Sequence, residues 1–101
     1  MAFSKRDWEK LIRGIAVNES RINFSKHALK QIKARNISNL SVVDVLRKGN
    51  ILMEPEPDIK TGHTVCRMER FTTGKPITVA VAVEDSRAID CIVVTAFVTE
   101  D

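Results

Sequence analysis

The chain has 101 residues, 44% of them hydrophobic and 29% charged, with a formal net charge of +3. That length fits one domain over residues 1–101 with a core of its own, and the balance excludes a disordered chain. No apolar run approaches the roughly 18 residues of a membrane span, and the first eight residues lack the apolar stretch of an export signal, so the expectation is a cytoplasmic protein with no membrane contact. Cys66 and Cys91 sit in apolar contexts and read as small buried hydrophobes, not as a disulfide. The charge is unevenly spread. Residues 1–50 hold eleven Lys and Arg against four acids, +7, and residues 51–101 hold five against nine, −4. A basic half invites a polyanionic partner or a solvated helical surface.

Ser4 opens the first helix, with Asp7 three residues on as a variant of the capping box. Trp8, Leu11, Ile12 and Ile15 follow at helical spacing, and the helix ends near Val17 and Asn18. Residues 21–24 read as an extended link. Ser25 caps a second helix over residues 26–35, with Ala28, Leu29 and Ile32 inward and Asn36 as a left-handed C-terminal cap. Ser38 opens a third helix. Its apolar face is Val42, Val43 and Leu46, its last turn carries Arg47 and Lys48, which suit the negative end of the dipole, and Gly49 stops it.

Ile51, Leu52 and Met53 form a short strand. Pro55 and Pro57 remove backbone donors, so the acidic stretch from Glu54 to Asp58 and on to Gly62 reads as a loop. Residues 63–71 are a strand, and Thr72-Thr73-Gly74-Lys75 a hairpin turn. In the next strand, 77–83, Ile77, Val79, Val81 and Val83 alternate with smaller residues. After a turn at residues 84–87, the strand 89–98 is apolar on both faces, as a doubly covered strand would be. The expectation is an α+β domain: helices over about 4–49, packed on one face of a four-stranded antiparallel sheet over about 50–98.

No phosphate-binding Gly-rich loop, nucleophile elbow or Cys-x-x-Cys pair is present. The two histidines and their distant acids make no zinc site, so no metal or other cofactor is expected. The absence of tyrosine removes the usual stacking platform of single-strand RNA binders. What remains is the second helix. Helical spacing sets His27 beside Lys30 and Gln31, away from the apolar stripe, with Lys26, Lys33 and Arg35 adding positive charge. An imidazole moves protons near neutral pH, and cations hold a phosphate and stabilise charge developing on it. Those are the parts needed to cleave RNA through its own 2′-hydroxyl without a metal; a capping or surface histidine is the plainer use of the same residue. In the strand 63–71, alternation puts Cys66, Met68 and Arg70 on one face and Val65, Arg67 and Glu69 on the other. Arg67 beside Glu69 suits either a surface ion pair or a phosphate contact. His63 reads as a solvated residue at the strand entrance, and Thr95 interrupts an apolar strand, with its hydroxyl bonding locally or facing a polar site.

Phe24-Ser25-Lys26-His27-Ala28, Arg35-Asn36-Ile37-Ser38, Val45-Leu46 and Gly49 resemble the first half of the bacterial family called domain of unknown function 4258. Gly74-Lys75-Pro76-Ile77, the strand 79–83 and Val93-Val94-Thr95 resemble its second half, so the likeness spans about residues 22–98. That family is similar to the RelE and BrnT toxins, within the barnase–EndoU–colicin–RelE ribonuclease fold. The resemblance implies helices followed by a four-stranded antiparallel sheet, a toxin of a toxin–antitoxin pair, and a helix-turn-helix antitoxin as protein partner. By position, His27, Arg35 and Thr95 match the family's His, second Arg and late-strand Thr. Gln31 stands where members often carry Arg, and Phe97 where they often carry an aromatic hydroxyl.

The functional expectation is therefore a metal-independent endoribonuclease. His27 would be its general acid or base, and Lys30, Arg35 and Arg67 would act on the phosphate. Lys26, Lys33 and Arg70 would bind RNA, and Gln31 and Thr95 give polar support. A non-catalytic RNA- or protein-binding module is the rival, and an exposed sheet edge offers a third route to a partner. RNA contact should centre on residues 26–35, with the acidic segment 54–58 lying away from it.

Overall fold

Ser4, Ser25 and Ser38 each cap a helix in the computed structural model, which describes residues 3–99; Glu100 and Asp101, which add to the negative half of the sequence, lie outside them. Ser4 and Asp7 complete a full capping box. The Ser4 hydroxyl accepts from the Asp7 amide at 3.1 Å, and the Asp7 carboxylate accepts from the Ser4 amide at 2.8 Å. The Ser4 amide and, at 2.9 Å, the Ser4 hydroxyl both donate to the Asp7 carboxylate and hold it below its ordinary value, the backbone bond contributing most. The helices are α1 (Lys5–Ala16), α2 (Lys26–Ala34) and α3 (Asn39–Lys48). Asn36 takes the left-handed conformation expected of it, at φ 56°.

The strands are β1 (Ile22–Phe24), β2 (Asn50–Ile51), β3 (Glu56–Pro57), β4 (Thr64–Thr72), β5 (Lys75–Val83) and β6 (Cys91–Val98). They form one six-stranded mixed sheet in the order β1-β6-β5-β4-β2, with β3 also on β4. This corrects the expected four-stranded antiparallel sheet in two ways. The link at residues 21–24 is a strand, β1, that pairs in parallel with β6 through Ile22–Cys91, Asn23–Ile92 and Phe24–Val93. A three-residue strand carries too little alternation to announce itself. The expected loop at 54–58 contains β3, which pairs with Val65 and Thr64 in line with β2 on the outer edge of β4. That edge is where proline can sit without breaking a ladder. The helices are thus interleaved with β1 and do not all precede the sheet.

The core lies between the helices and one sheet face. Ile12, Ile15 and Ala16 of α1, Ala28 and Ile32 of α2, and Val42, Val45 and Leu46 of α3 meet Cys66, Met68, Ile77, Val79, Val81, Val83, Cys91, Val93 and Ala96. Each fully buried aliphatic side chain contributes about 1.5–3 kcal/mol. Leu29, expected inward, is 47% exposed because it falls off the Ala28/Ile32 stripe. Arg47, expected to serve its own helix dipole, instead donates to the carbonyls of Ala16 at 2.7 Å and Val17 at 3.2 Å and so closes α1.

Burial pushes the thiols of Cys66 and Cys91 up to about 12, with the charge of Asp90 adding to the effect at Cys91. Both are free and buried. Neither should react with a maleimide at pH 7.5 in the native state, and both should label in denaturant; rapid native labelling would contradict the packing.

Two details of the sheet set up its uncovered face. The β5–β6 register pairs Ala80 with Thr95 but Val81 with Val93, so Val94 is a bulge residue. The bulge resets the alternation. Cys91 and Val93 face the helices, and without it Thr95 would follow them into the core. The expected double covering of the last strand is also corrected: Ile92 and Val94 are 40% and 36% exposed, because among the described residues no layer lies over that face.

Candidate functional site

Cross-strand partners share a face, so the register places the side chains of the uncovered face in rows. Glu69, Thr78 and Phe97 form one row from β4 to β6, and Arg67, Ala80 and Thr95 form the next. The small residues on β5 make a floor, with side chains of β4 and β6 as walls. Thr78 and Ala80 are 3% and 4% exposed beneath those walls. Thr78 and Thr99 hydroxyls hydrogen-bond across the end of the floor.

The α2 helix closes the β6 side. β1 pairs only with residues 91–93 of β6, so α2 runs past the remaining length of that strand. Gln31 and Arg35 lie four residues apart on one stripe. Gln31 Oε1 accepts from the Thr95 hydroxyl and, at 3.0 Å, from Arg35. Arg35 also donates to the Ala96 carbonyl at 2.9 Å, and its guanidinium carbon stands 6.0 Å from the Phe97 ring centroid. This is cation–π range. Gln31 is thus the acceptor that joins two donors. An arginine in its place would set a donor against both and a like charge beside Arg35.

Two adjoining clefts open here. One, of about 620 Å³, is lined by Arg35, Phe97, Val98 and Thr99. The other, of about 390 Å³, is lined by Met53, Glu56, Arg67, Glu69, Thr78, Phe97 and Thr99. They share Phe97 and Thr99, so Arg35 and Arg67 line neighbouring clefts that meet at one aromatic ring. Among the described residues, no carboxylate lies within 4 Å of Arg35 or Arg67. The Arg67–Glu69 ion pair considered from sequence is not made.

The structure divides the other expected site residues. His27 is exposed and continues the Gln31/Arg35 stripe one turn toward the start of α2. Lys30 is exposed beside it on the outward side. At about 100° per residue, Lys26 and Lys33 point to the flank opposite Arg35, and both are exposed. Arg70 lies on the helix-covered face, where its Nε donates to Asp44 of α3 at 2.8 Å. It is apart from Arg35 and Arg67, and its charge is spent on Asp44. Partial burial opposes ionisation of Asp44, but bonds from Thr72 and Arg70 and the charges of Arg70 and Lys48 outweigh it and hold the carboxyl below its ordinary value.

The acidic segment lies across the sheet from residues 26–35, since β3 pairs with β4 and α2 packs on β6, yet it reaches the uncovered face. Glu56 lines the cleft with Arg67, because β3 pairs beside Val65 on the same face. Glu69, Thr78 and Thr99 are site residues that motif reading missed. Strand alternation puts Glu69 with Arg67, but only the register reveals which face is uncovered. Among the described residues, no group of three His, Cys, Asp or Glu could hold a metal, and no helix is long and apolar enough to cross a membrane.

A family model described as a domain of unknown function, DUF4258, matches residues 24–98. The chain belongs to the DUF4258 family. No curated protein and no solved structure gives a significant match. The DUF4258 match runs from the end of β1 through β6 and holds every residue of both rows together with His27, Gln31 and Arg35. The α1 helix and Thr99 lie outside it, so all of the site but Thr99 is built within the family's span while part of its supporting core is not.

Proposed function

We propose that this DUF4258 chain is a metal-independent endoribonuclease of the RelE/BrnT type, acting as the toxin of a toxin–antitoxin pair with a helix-turn-helix antitoxin as its partner. The observation that carries the reading is a pair of arginines, neither in an ion pair among the described residues, that line two clefts meeting at Phe97 on an open sheet face. A guanidinium presents a planar fork of donors suited to phosphate oxygens. The Phe97 ring offers a nucleobase a stacking surface worth about 1–3 kcal/mol. It supplies the platform that the absence of tyrosine seemed to remove.

Cleavage through the 2′-hydroxyl needs a phosphate held in place, charge stabilisation as the phosphorus becomes pentacoordinate, and proton transfer at both oxygens. Arg35 and Arg67 supply the first two. His27, two turns before Arg35 on the same α2 stripe, is the proton-transfer group of this reading. Lys30 adds positive potential at the same border.

The purified protein should cleave a 5′-labelled single-stranded RNA of mixed sequence in EDTA and leave the all-deoxy oligonucleotide intact. His27→Ala should abolish the cleavage and His63→Ala should retain it. Expression should slow growth, and a co-expressed helix-turn-helix partner should relieve it. The rival is an RNA-binding module without chemistry, favoured by the exposed, unbonded position of His27. Salt-dependent RNA binding without cleavage, insensitive to His27→Ala, selects it.

A further inference from the structure

We infer that the cleft between the start of α1 and the β5–β6 connection receives the guanidinium of an arginine side chain presented by a partner protein. This site is independent of the ribonuclease reading. The cleft measures about 420 Å³ and is lined by Phe3 and Trp8 at the start of α1, Thr64 of β4, and Glu84, Asp85 and Ser86 after β5. Thr64 continues the alternation of Cys66 and Met68, which face the core. The cleft therefore opens at the end of the sheet on the helix side, away from the face that carries Arg67 and Thr78.

Two kinds of group meet there, and neither has a cation. Phe3 and Trp8 pair edge to face, with centroids 4.8 Å apart and planes at 67°. Edge-to-face pairing occupies a face of one ring only. Trp8 is held by packing on the core, and Phe3 is 37% exposed. Ring faces attract cations, yet among the described residues the cation set against a ring is Arg35 at Phe97, with none at Phe3 or Trp8. Glu84 and Asp85 add two negative charges. No cation lies within 4 Å of either among the described residues, and Lys5 of α1 is paired with Glu54. Asp85 Oδ1 accepts from the Arg87 amide at 2.7 Å, which fixes the carboxylate and leaves Oδ2 for a ligand.

A guanidinium answers both features. Its plane stacks on an aromatic ring, and its fork of donors bonds a carboxylate. The hydroxyls of Thr64 and Ser86 offer further acceptors in the same cleft. An ammonium matches the charge but has no plane to stack. Free arginine fits less well than an arginine side chain in a protein. Its α-carboxylate would lie against Glu84 and Asp85, and no Lys, Arg or His lines the cleft to hold it.

Trp8 is the chain's single tryptophan, so its indole N–H gives one cross-peak in the ¹⁵N-labelled protein and reports on the cleft directly. Titration with N-acetyl-arginine amide should shift that peak saturably, together with the amides of Glu84, Asp85 and Ser86. N-acetyl-citrulline amide, of similar shape but uncharged, should give no saturable shift, and free arginine should bind more weakly than the amide. Glu84→Gln with Asp85→Asn should weaken the arginine amide by about 3- to 10-fold. Phe3→Leu should weaken it by about 2- to 5-fold. Melting temperatures should stay at the wild-type value. The citrulline comparison uses wild-type protein and decides the matter even where a variant unfolds. No saturable shift, an equal shift from the citrulline amide, or a folded double variant that binds like wild type overturns the site. Free arginine binding as tightly as its amide overturns the assignment to a protein partner.

Discussion

Arg67→Ala should lower kcat/KM for RNA cleavage by about 10²- to 10³-fold while leaving the fold intact. The side chain is half-buried on the uncovered face, makes no ion pair among the described residues and packs into no core. Its loss would therefore remove the proposed phosphate contact and little else. The slope of log affinity against log salt should fall by about one unit. Arg35→Ala should do the same and also release Gln31 and the Ala96 carbonyl. Arg35→Lys should not rescue it, because one ammonium cannot bond Gln31 and Ala96 and still stack on Phe97 as a planar fork does. Lys26→Ala and Lys33→Ala, on the opposite flank of α2, should change affinity only slightly. Titrations at several salt concentrations check the whole set; equal losses from Lys33→Ala and Arg67→Ala would place the RNA on the outer helix surface.

Gly49→Ala should be the most damaging small substitution. Gly49 has an ordinary φ of −75°, so its role is not conformational freedom. A Cβ there would stand 2.4 Å from the Val45 carbonyl oxygen and 2.9 Å from that of Glu69, both backbone atoms that cannot swing aside. The Gly49 carbonyl also accepts from Arg13 Nη2 at 2.6 Å, and Glu9 accepts from the Ile51 amide at 2.6 Å, so α1, α3 and β2 are joined at this point. Relieving the overlap should cost about 1–3 kcal/mol or more. At roughly 4–8 °C per kcal/mol for a domain of this size, the melting temperature should fall by about 5–20 °C. Because the overlap is with the β4 backbone two residues from Arg67, cleavage should fall too, even in molecules that remain folded. An unchanged melting temperature would contradict the close packing of α3 on β4.

Acid should act on the folded state in one direction. Asp7 and Asp44 are both held below their ordinary values. Their ionised forms stabilise the fold above the unfolded value near pH 4, and that contribution is lost as the pH falls through the lower folded values. Melting temperature should show no effect of these two groups between pH 7 and 5 and should decline below about pH 4. Asp44→Asn should make that decline shallower.

Much of this fold was legible in the residues. Three capping serines, the Ala28/Ile32 stripe and the alternation of Ile77, Val79, Val81 and Val83 gave the helices and the central strand, because local chemistry alone decides them. What escaped depended on partners distant in sequence. β1 is three residues long and exists because β6 pairs with it. β3 carries a proline and exists because β4 has a free edge. Val94 looks like any apolar strand residue until the register makes it a bulge. The site divided in the same way. His27, Gln31 and Arg35 share a helix and a visible spacing, whereas Arg67 and Glu69 could be given a face but not the knowledge that it is uncovered. The opening charge asymmetry told less than its size suggested. Arg13 and Arg47 of the basic half bind backbone carbonyls, and Glu56 of the acidic half stands in the cleft.

On the ribonuclease proposal, RNA meets the uncovered sheet face and not the outer surface of α2. Backbone amide shifts of the ¹⁵N-labelled His27→Ala protein, titrated with the single-stranded RNA, test it directly. The largest changes are expected at Arg35, Arg67, Thr78, Ala80, Thr95 and Phe97, reversed by salt. Changes confined to Lys26, Lys33 and their neighbours, or none at all, would contradict it.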